Sequence, residues 1–350
     1  NHLDADAKNW LLGFLRAYQG ALLVISHDLD LLDEAITRVI HLDREGEDAL
    51  GHVVEYKGTY TQYLVAREKD EERLAKLAER QEAEIRRLAT LADSMRGQTA
   101  KRARQAKSLD TRVSKLEEKK VEGPQKRRTM SVRFPMPPAA GRTVLEVDGL
   151  AKSYGDLDVF VDVTFDLGRG ERILVMGLNG AGKTSLLRIL AGETSPDLGR
   201  VKWGHNVSAG YYAQEHEGIE AGRSLLDHMR EQAGLDDEEL RRLMGMFGLS
   251  GDKAHQDAAT LSGGEKTKLA LAQLVAGRHN VLLLDEPTNN LDPGSRTATA
   301  DALASWPGTM VIVSHDAEFV RELQPERVLM MPEAQLYYWN DELLELVELS

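Results

Sequence analysis

The segment from Arg172 to Ile189 constrains this chain more than any other. It opens on an apolar run, Ile173 to Met176, which predicts a buried strand. Glycines at 177, 180 and 182 follow, then Lys183-Thr184, then Leu186, Leu187 and Leu190 at helical spacing. G-x-x-x-x-G-K-T between a strand and a helix is a phosphate-binding loop in its structural context. Glycine lets the backbone curl until several N–H groups face one anion. The helix start adds the positive end of its dipole. Lys183 is placed to reach the outer phosphates, and the Thr184 hydroxyl to ligate Mg²⁺. Gly177, Asn179, Gly180, Gly182, Lys183, Thr184 and Ser185 are therefore candidate nucleotide-binding residues. The plain alternative is a glycine-rich turn that happens to precede a lysine. The flanking strand and helix argue against it.

A chain of 350 residues is long enough for two domains with cores of their own. With a net charge of −13 it reads as soluble, and no apolar run is long enough to span a bilayer. No signal peptide is legible from Asn1 onward. The absence of cysteine excludes disulfides and thiolate metal sites, and it suits a reducing cytoplasm. The charge is uneven. Between Arg96 and Arg128, 12 Lys and Arg stand against 4 Asp and Glu, although the whole chain is acidic. One basic segment on an acidic body points to a polyanion contact there; a solvated helix face is the alternative.

The chain repeats itself. Asn1-His2-Leu3-Asp4 leads into an amphipathic helix with Leu11, Leu12, Phe14 and Leu15 apolar. A β-rich run from Ala21 to Ile25 then ends in Ser26-His27-Asp28. Far downstream, Asn289-Asn290-Leu291-Asp292 leads through a helix to Met310–Val313 and Ser314-His315-Asp316 at the same internal spacing. Only the downstream copy is preceded by a phosphate loop, so the chain is expected to begin inside its first repeat. Its first 60 residues should then expose apolar side chains such as Leu22 and Val24.

Between the repeats, Val39–Leu42 and His52–Tyr56 read as short strands. From about Leu64 to Met95 the pattern is helical, with Leu74, Leu77, Ile85, Leu88 and Ala92 on one stripe. A second helix to about Lys120 has Ala103, Ala106, Leu109, Val113 and Leu116 as its seam, and Gly123-Pro124 stops it. Two narrow seams predict an antiparallel coiled-coil hairpin with its tip near Ser94–Thr99. The three prolines between Ser131 and Arg142 predict an extended linker. From Thr143 onward, strands alternate with helices around the phosphate loop. Strand signals lie at Val144–Val147, Val159–Phe165, Val281–Leu284 and Met310–Val313. This predicts the α/β class, with a mostly parallel central sheet.

Further features narrow the chemistry. Leu261-Ser262-Gly263-Gly264-Glu265 opens a helix and is a second candidate phosphate surface. One nucleotide does not easily touch both surfaces, so Ser262, Gly263 and Gly264 are expected to serve a nucleotide held by a partner domain. The strand Val281–Leu284 ends in Asp285-Glu286-Pro287. Asp285 suits Mg²⁺, and Glu286 suits polarising an attacking water. His315 follows a buried strand and is placed to contact a terminal phosphate. Gln214 follows another and is placed to approach the metal and the water. Taken alone, His315 reads as a satisfied histidine at a strand end and Tyr154 as packing.

Taken together, these motifs resemble the ATP-binding cassette (ABC) ATPases. Walker A falls at Gly177–Thr184, the glutamine loop at Gln214 and the signature at Leu261–Glu265. Walker B falls at Val281–Asp285, the D-loop at Asn290–Asp292 and the switch at His315. Tyr154 stands where that family stacks a ring on adenine. Two cassettes with a basic helical hairpin between them resemble the ABC-F family over nearly the whole chain. That resemblance implies a cytoplasmic ATPase using ATP and Mg²⁺. It also implies binding to the ribosome near its E site, with the hairpin reaching toward rRNA and P-site tRNA. The implied class covers both translation factors and antibiotic-resistance ribosome protectors. The implied domains are the C-terminal part of a first cassette (1–63), the hairpin linker (64–142) and a complete second cassette (143–350). The first cassette departs from the pattern. Of its motifs only Asp4 and His27 stand here, and His2 occupies the position of Asn290. The ATP sites would then need the missing cassette or a second copy to close. The alternatives are the nucleotide-binding subunit of an ABC transporter and a coiled-coil ATPase acting on DNA.

Overall fold

A computed structural model of the chain describes residues 5–26, 29–43, 52–96, 99–121, 130, 132–213 and 218–349. Its contacts form two units, one within Leu12–Arg127 and one of Asn1–Leu11 with Arg128–Ser350. In chain order the first elements are α1 (Ala5–Ala17), α2 (Leu29–Ala35), β1 (Arg38–Asp43), β2 (His52–Lys57), α3 (Tyr60–Met95) and α4 (Ala100–Glu118). β1 and β2 pair antiparallel, from Arg38 opposite Lys57 to Asp43 opposite His52. The run Ala21–Ile25 is not a strand. A strand needs a neighbour for its backbone groups, and no strand among the described residues pairs with it. Leu23 and Ile25 are 82% and 94% exposed; Leu22 is exposed and Val24 only partly so.

The hairpin is asymmetric. α3 begins at Tyr60, four residues before the hydrophobic stripe suggested. Thr59 accepts from the Gln62 N–H, and the Gln62 side chain returns to the Thr59 N–H, a reciprocal cap. α4 ends at Glu118 because Gln81 of α3 closes it. The Gln81 amide donates to the Leu116 and Lys119 carbonyls at 3.0 and 2.8 Å and accepts from the Val121 N–H. Leu88, Ala92 and Ala106 are buried nearer the tip, where Arg96 lies 2.8 Å from Asp110. Leu74 and Leu77 are on the stripe but stay 37% and 49% exposed, because α4 stops opposite Gln81. Ala103 is exposed as well.

The second unit continues with β3 (Thr143–Tyr154), β4 (Leu157–Gly168), β5 (Arg172–Met176), α5 (Lys183–Ala191), β6 (Leu198–Trp203) and β7 (Ala209–Tyr212). Next come α6 (Leu225–Gln232), α7 (Asp237–Met246), α8 (Gly263–Ala276), β8 (Val281–Asp285) and α9 (Pro293–Ala304). The last elements are β9 (Thr309–Val313), α10 (Ala317–Leu323), β10 (Arg327–Met330), β11 (Gln335–Tyr338) and α11 (Leu344–Leu349). Six strands form the central sheet in the order β11-β10-β5-β9-β8-β7, parallel except for β11. A second, antiparallel sheet has the order β4-β3-β6.

Alternation along the central strands separates two cores. Leu174, Met176, Leu282, Leu284, Met310 and Ile312 face the helices α6 to α10. Ile173, Val175, Leu283, Val311 and Val313 face α5 and the antiparallel sheet. Burying each such side chain contributes about 1.5–3 kcal/mol. This double burial is why the strands read as unbroken apolar runs in the sequence. β6 escaped that reading because Gly199, Arg200 and Lys202 break its apolar pattern. The proline segment has neither helix nor strand among its described residues, and it is docked on this unit. Met130 and Val132 are buried in the helical-side core. The Pro135 carbonyl accepts from the Trp306 indole at 3.0 Å, and the Pro138 carbonyl from Asn280.

Candidate nucleotide site

Parallel pairing puts the C-terminal ends of β5, β8 and β9 side by side. The loops that leave those ends build a cleft of about 390 Å³. It is lined by Tyr154, Asn179, Gly180, Gly182, Lys183, Thr184, Ser185, Asp285, Glu286, Asn289 and His315. The glycine loop, both carboxylates and His315 are thus brought together from distant parts of the sequence. Gly177 sits at the base of the loop, where its carbonyl accepts from the Lys183 ammonium. Ser262, Gly263 and Gly264 are not among the lining residues. Gln214 lies outside the described residues.

The loop is built for close backbone approach. Gly177 has φ +148°, and a Cβ there would lie 2.4 Å from the Met331 carbonyl oxygen. At Gly182, φ +92°, a Cβ would lie 2.5 Å from Val159. α5 starts at Lys183 with Gly182 as its cap and no side chain on its first N–H groups. Those N–H groups are what a phosphate would occupy. The signature helix α8 differs. The Ser262 hydroxyl accepts from the Glu265 N–H, and the Glu265 carboxylate returns to the Ser262 N–H and hydroxyl. Glu265 is partly buried, which raises its pKa, but Lys253 at 2.6 Å and Ser262 outweigh burial and hold it down to about 2.

Electrostatics at the cleft favour neutral forms. Burial lowers the Lys183 pKa against the pull of Glu286 and Asp285. Burial raises Asp285, and Thr184 and Lys183 only partly offset it. Burial pushes Glu286 up to about 8, although the His315 backbone N–H donates to its carboxylate at 3.4 Å. His315 is lowered to about 4 by burial and by Lys183; its Nε2 lies 3.1 Å from Glu286 Oε1. A carboxylate whose pKa sits near neutrality suits a general base. Both Asp285 oxygens are buried, and neither has a hydrogen bond of good geometry among the described residues, although the Thr184 side chain stands close enough to lower the pKa. Beside Thr184, they form the hard-oxygen donor pair that Mg²⁺ takes, with phosphate oxygens completing its shell. The residues present therefore fit Mg²⁺. Tyr154 is half exposed at the rim, its hydroxyl 3.5 Å from Ser185, and the Lys152 ammonium stands 5.3 Å from its ring centre.

Two features at the cleft were not read from the sequence. Glu286 and Asn290 adopt left-handed φ of +54° and +63°, unusual for residues other than glycine. Lys268, in the second turn of α8, pairs with Asp292 at 3.0 Å. The lysine is visible in the sequence just after the signature, but nothing there says that it faces the D-loop.

Comparison with known proteins identifies the arrangement. A family model described as ABC transporter matches residues 160–289, and a related extension model of the same description matches residues 49–134. YdiF of Bacillus subtilis (strain 168), named as an ATP-binding protein, is 36% identical over 92% of this chain and 49% of its own length. The chain carries an ABC-type ATP-binding cassette and resembles the ABC-F proteins. YheS of Escherichia coli (strain K12), also named as an ATP-binding protein, is 34% identical over 94% of this chain and 51% of its own length. The energy-dependent translational throttle protein EttA of Mycobacterium tuberculosis (strain ATCC 25618 / H37Rv) is 35% identical over 91% of this chain and 56% of its own. The chain thus spans about half the length of these curated relatives. Among the described residues no helix is long and apolar enough to cross a membrane.

The protonation state of this cleft has a measurable consequence. In the folded chain Glu286 holds its proton up to about pH 8, whereas an unfolded glutamate releases it near 4.5. Between those values the native state binds more protons, so its stability falls as pH rises. Asp285, also raised, acts in the same direction. Glu286→Gln removes the Glu286 part. In thermal melts without nucleotide, the variant's Tm should fall less than wild type between about pH 6 and 9. Parallel Tm curves would contradict the buried, protonated Glu286.

Proposed function

We propose that this cassette binds and hydrolyses ATP with Mg²⁺, and that it does so as one half of a composite site. The observation that carries the reading is the meeting of Lys183, Asp285, Glu286 and His315 in one cleft at an uncapped helix start. Lys183 and the amides of the loop hold the phosphates. Thr184 and Asp285 hold Mg²⁺, which when bound supplies charge that stabilises the phosphate oxygens and favours ionised carboxylates. Glu286 takes the proton of the attacking water, His315 contacts the terminal phosphate, and Gln214 helps place metal and water. Tyr154 supports the adenine, and Ser262 to Gly264 complete the nucleotide site of a second cassette. A direct test is equilibrium binding of an ATP analogue to wild type and Lys183→Ala. Loss of binding in the variant, with an unchanged melt, supports the site; equal affinity overturns it.

The same proposal places the protein at the ribosome in the cytoplasm, its α3–α4 hairpin against rRNA or tRNA. Support comes from the likeness to EttA, whose name describes a translational throttle, and from the basic face of α4. Lys101, Arg104 and Lys107 are exposed there, whereas Arg96 is engaged by Asp93 and Asp110. Changing Lys101, Arg104 and Lys107 to Gln keeps helix propensity. Ribosome binding should weaken, and the slope of log K against log salt should flatten by ~0.7–0.9 for each phosphate no longer neutralised. Identical slopes would mean a solvated face. Co-sedimentation with ribosomes against membranes or DNA separates this reading from the transporter-subunit and DNA-acting alternatives.

A further inference from the structure

The segment from Glu286 to Leu291 carries a catalytic carboxylate on a strained turn, and strain of this kind persists only where surroundings over-determine it. Two left-handed residues, Glu286 and Asn290, lie within it. Inside the segment the Asn289 N–H donates to the Glu286 carbonyl at 3.1 Å, and the Leu291 N–H to that of Thr288 at 3.3 Å. The Glu286 N–H donates to the Val313 carbonyl of β9 at 2.9 Å, anchoring one end. The other end is held by α8. Gly264 packs so close that a Cβ there would lie 2.6 Å from the Asn290 carbonyl oxygen. One turn on, the Thr267 hydroxyl donates to the Asn289 carbonyl at 3.3 Å. Lys268 then reaches Asp292.

Thr267 is fully buried, and the hydroxyl of Tyr212, which is 2% exposed at the last position of β7, interacts with its side chain. Thr267 thus ties α8 to the backbone of the turn that carries Glu286, with the buried Tyr212 hydroxyl beside it. Neither hydroxyl lines the cleft.

We infer that Thr267 is a positioning residue that holds the Glu286–Leu291 turn in its strained conformation. It acts on Glu286 through the Asn289 carbonyl and touches neither nucleotide nor water. Thr267→Val keeps the shape and removes the hydroxyl, leaving the Asn289 carbonyl without this partner. Thr267→Ser restores the donor.

The test has two readouts. The first is amide hydrogen exchange of the whole 350-residue chain without nucleotide. In Thr267→Val the peptide covering Asp285–Asp292 should exchange about tenfold faster, the factor expected when one buried hydrogen bond is removed. The phosphate-loop peptide Gly177–Ser185 should be unchanged, and Thr267→Ser should return to wild type. This readout does not depend on turnover, so it stands or falls separately from the ATPase reading, on which the second rests. There, Thr267→Val should lower kcat about tenfold while leaving KM for ATP within about twofold, and Thr267→Ser should recover most of kcat. Unchanged exchange at Asp285–Asp292 in Thr267→Val overturns the inference. So does equally raised exchange across both peptides, which would mean general loosening, or a serine variant no better than valine.

Discussion

Glu286→Gln should lower phosphate release by about 10²–10⁴-fold, the span typical of losing a general base, while ATP binding persists. Two features separate the outcomes. The cradle for phosphate, made by Lys183 and the start of α5, does not use the Glu286 side chain. Glutamine is also the isostere of the protonated glutamate that this buried position favours below about pH 8. The variant should therefore fold normally, keep its hydrogen bond from the His315 N–H, and lack only an oxygen able to take a proton from water. Binding of a fluorescent ATP analogue alongside phosphate release measures both. Unchanged turnover would remove Glu286 from the catalytic assignment, and loss of both activities would mean that it supports the cradle.

The second large effect is at Gly177, and Gly180 is its control. Both have positive φ, so both substitutions to alanine strain the backbone. Gly180→Ala places its methyl group in open space, with nothing within 4 Å, so only that strain applies, about 1 kcal/mol. Gly177→Ala drives its Cβ to 2.4 Å from the Met331 carbonyl oxygen at the end of the neighbouring strand β10. Backbone cannot swing aside as a side chain does, so β5 and β10 must separate or the loop must shift. We expect a loss of about 2–4 kcal/mol of stability and undetectable ATP binding. Denaturant melts of the two variants check this; equal destabilisation would show that the close approach at Gly177 relaxes at little cost.

What the sequence showed and hid follows from where information is local. The strands β5, β8 and β9 are buried on both faces, so their apolar runs stood out, and the residues at their ends formed the cleft. The glycine loop before α5 was legible because glycine spacing and a following helix are local signals. β6 was hidden by its charged, exposed residues, since it lies at the edge of the three-stranded sheet. Ala21–Ile25 has strand-forming residues, but strand formation also requires a partner, which propensity does not record. The stripe through Leu74 and Leu77 predicted a seam longer than the pairing observed, because Gln81 caps α4 through contacts 35 to 40 residues away in sequence. The left-handed Glu286 and the tie through Thr267 are tertiary features of the same kind.

The central claim is that this cleft is half of a site, completed by the signature of another cassette. Ser262, Gly263 and Gly264 lie outside the lining of the cleft on their own chain. The most direct test is phosphate release per molecule as a function of the concentration of this 350-residue chain, with Ser262→Arg as a control that blocks the signature but leaves the cleft untouched. The account predicts weak turnover that rises with concentration as two copies lend each other their signatures, and none of that rise in Ser262→Arg. Turnover that is robust at the lowest concentration, constant per molecule and indifferent to Ser262→Arg would contradict it.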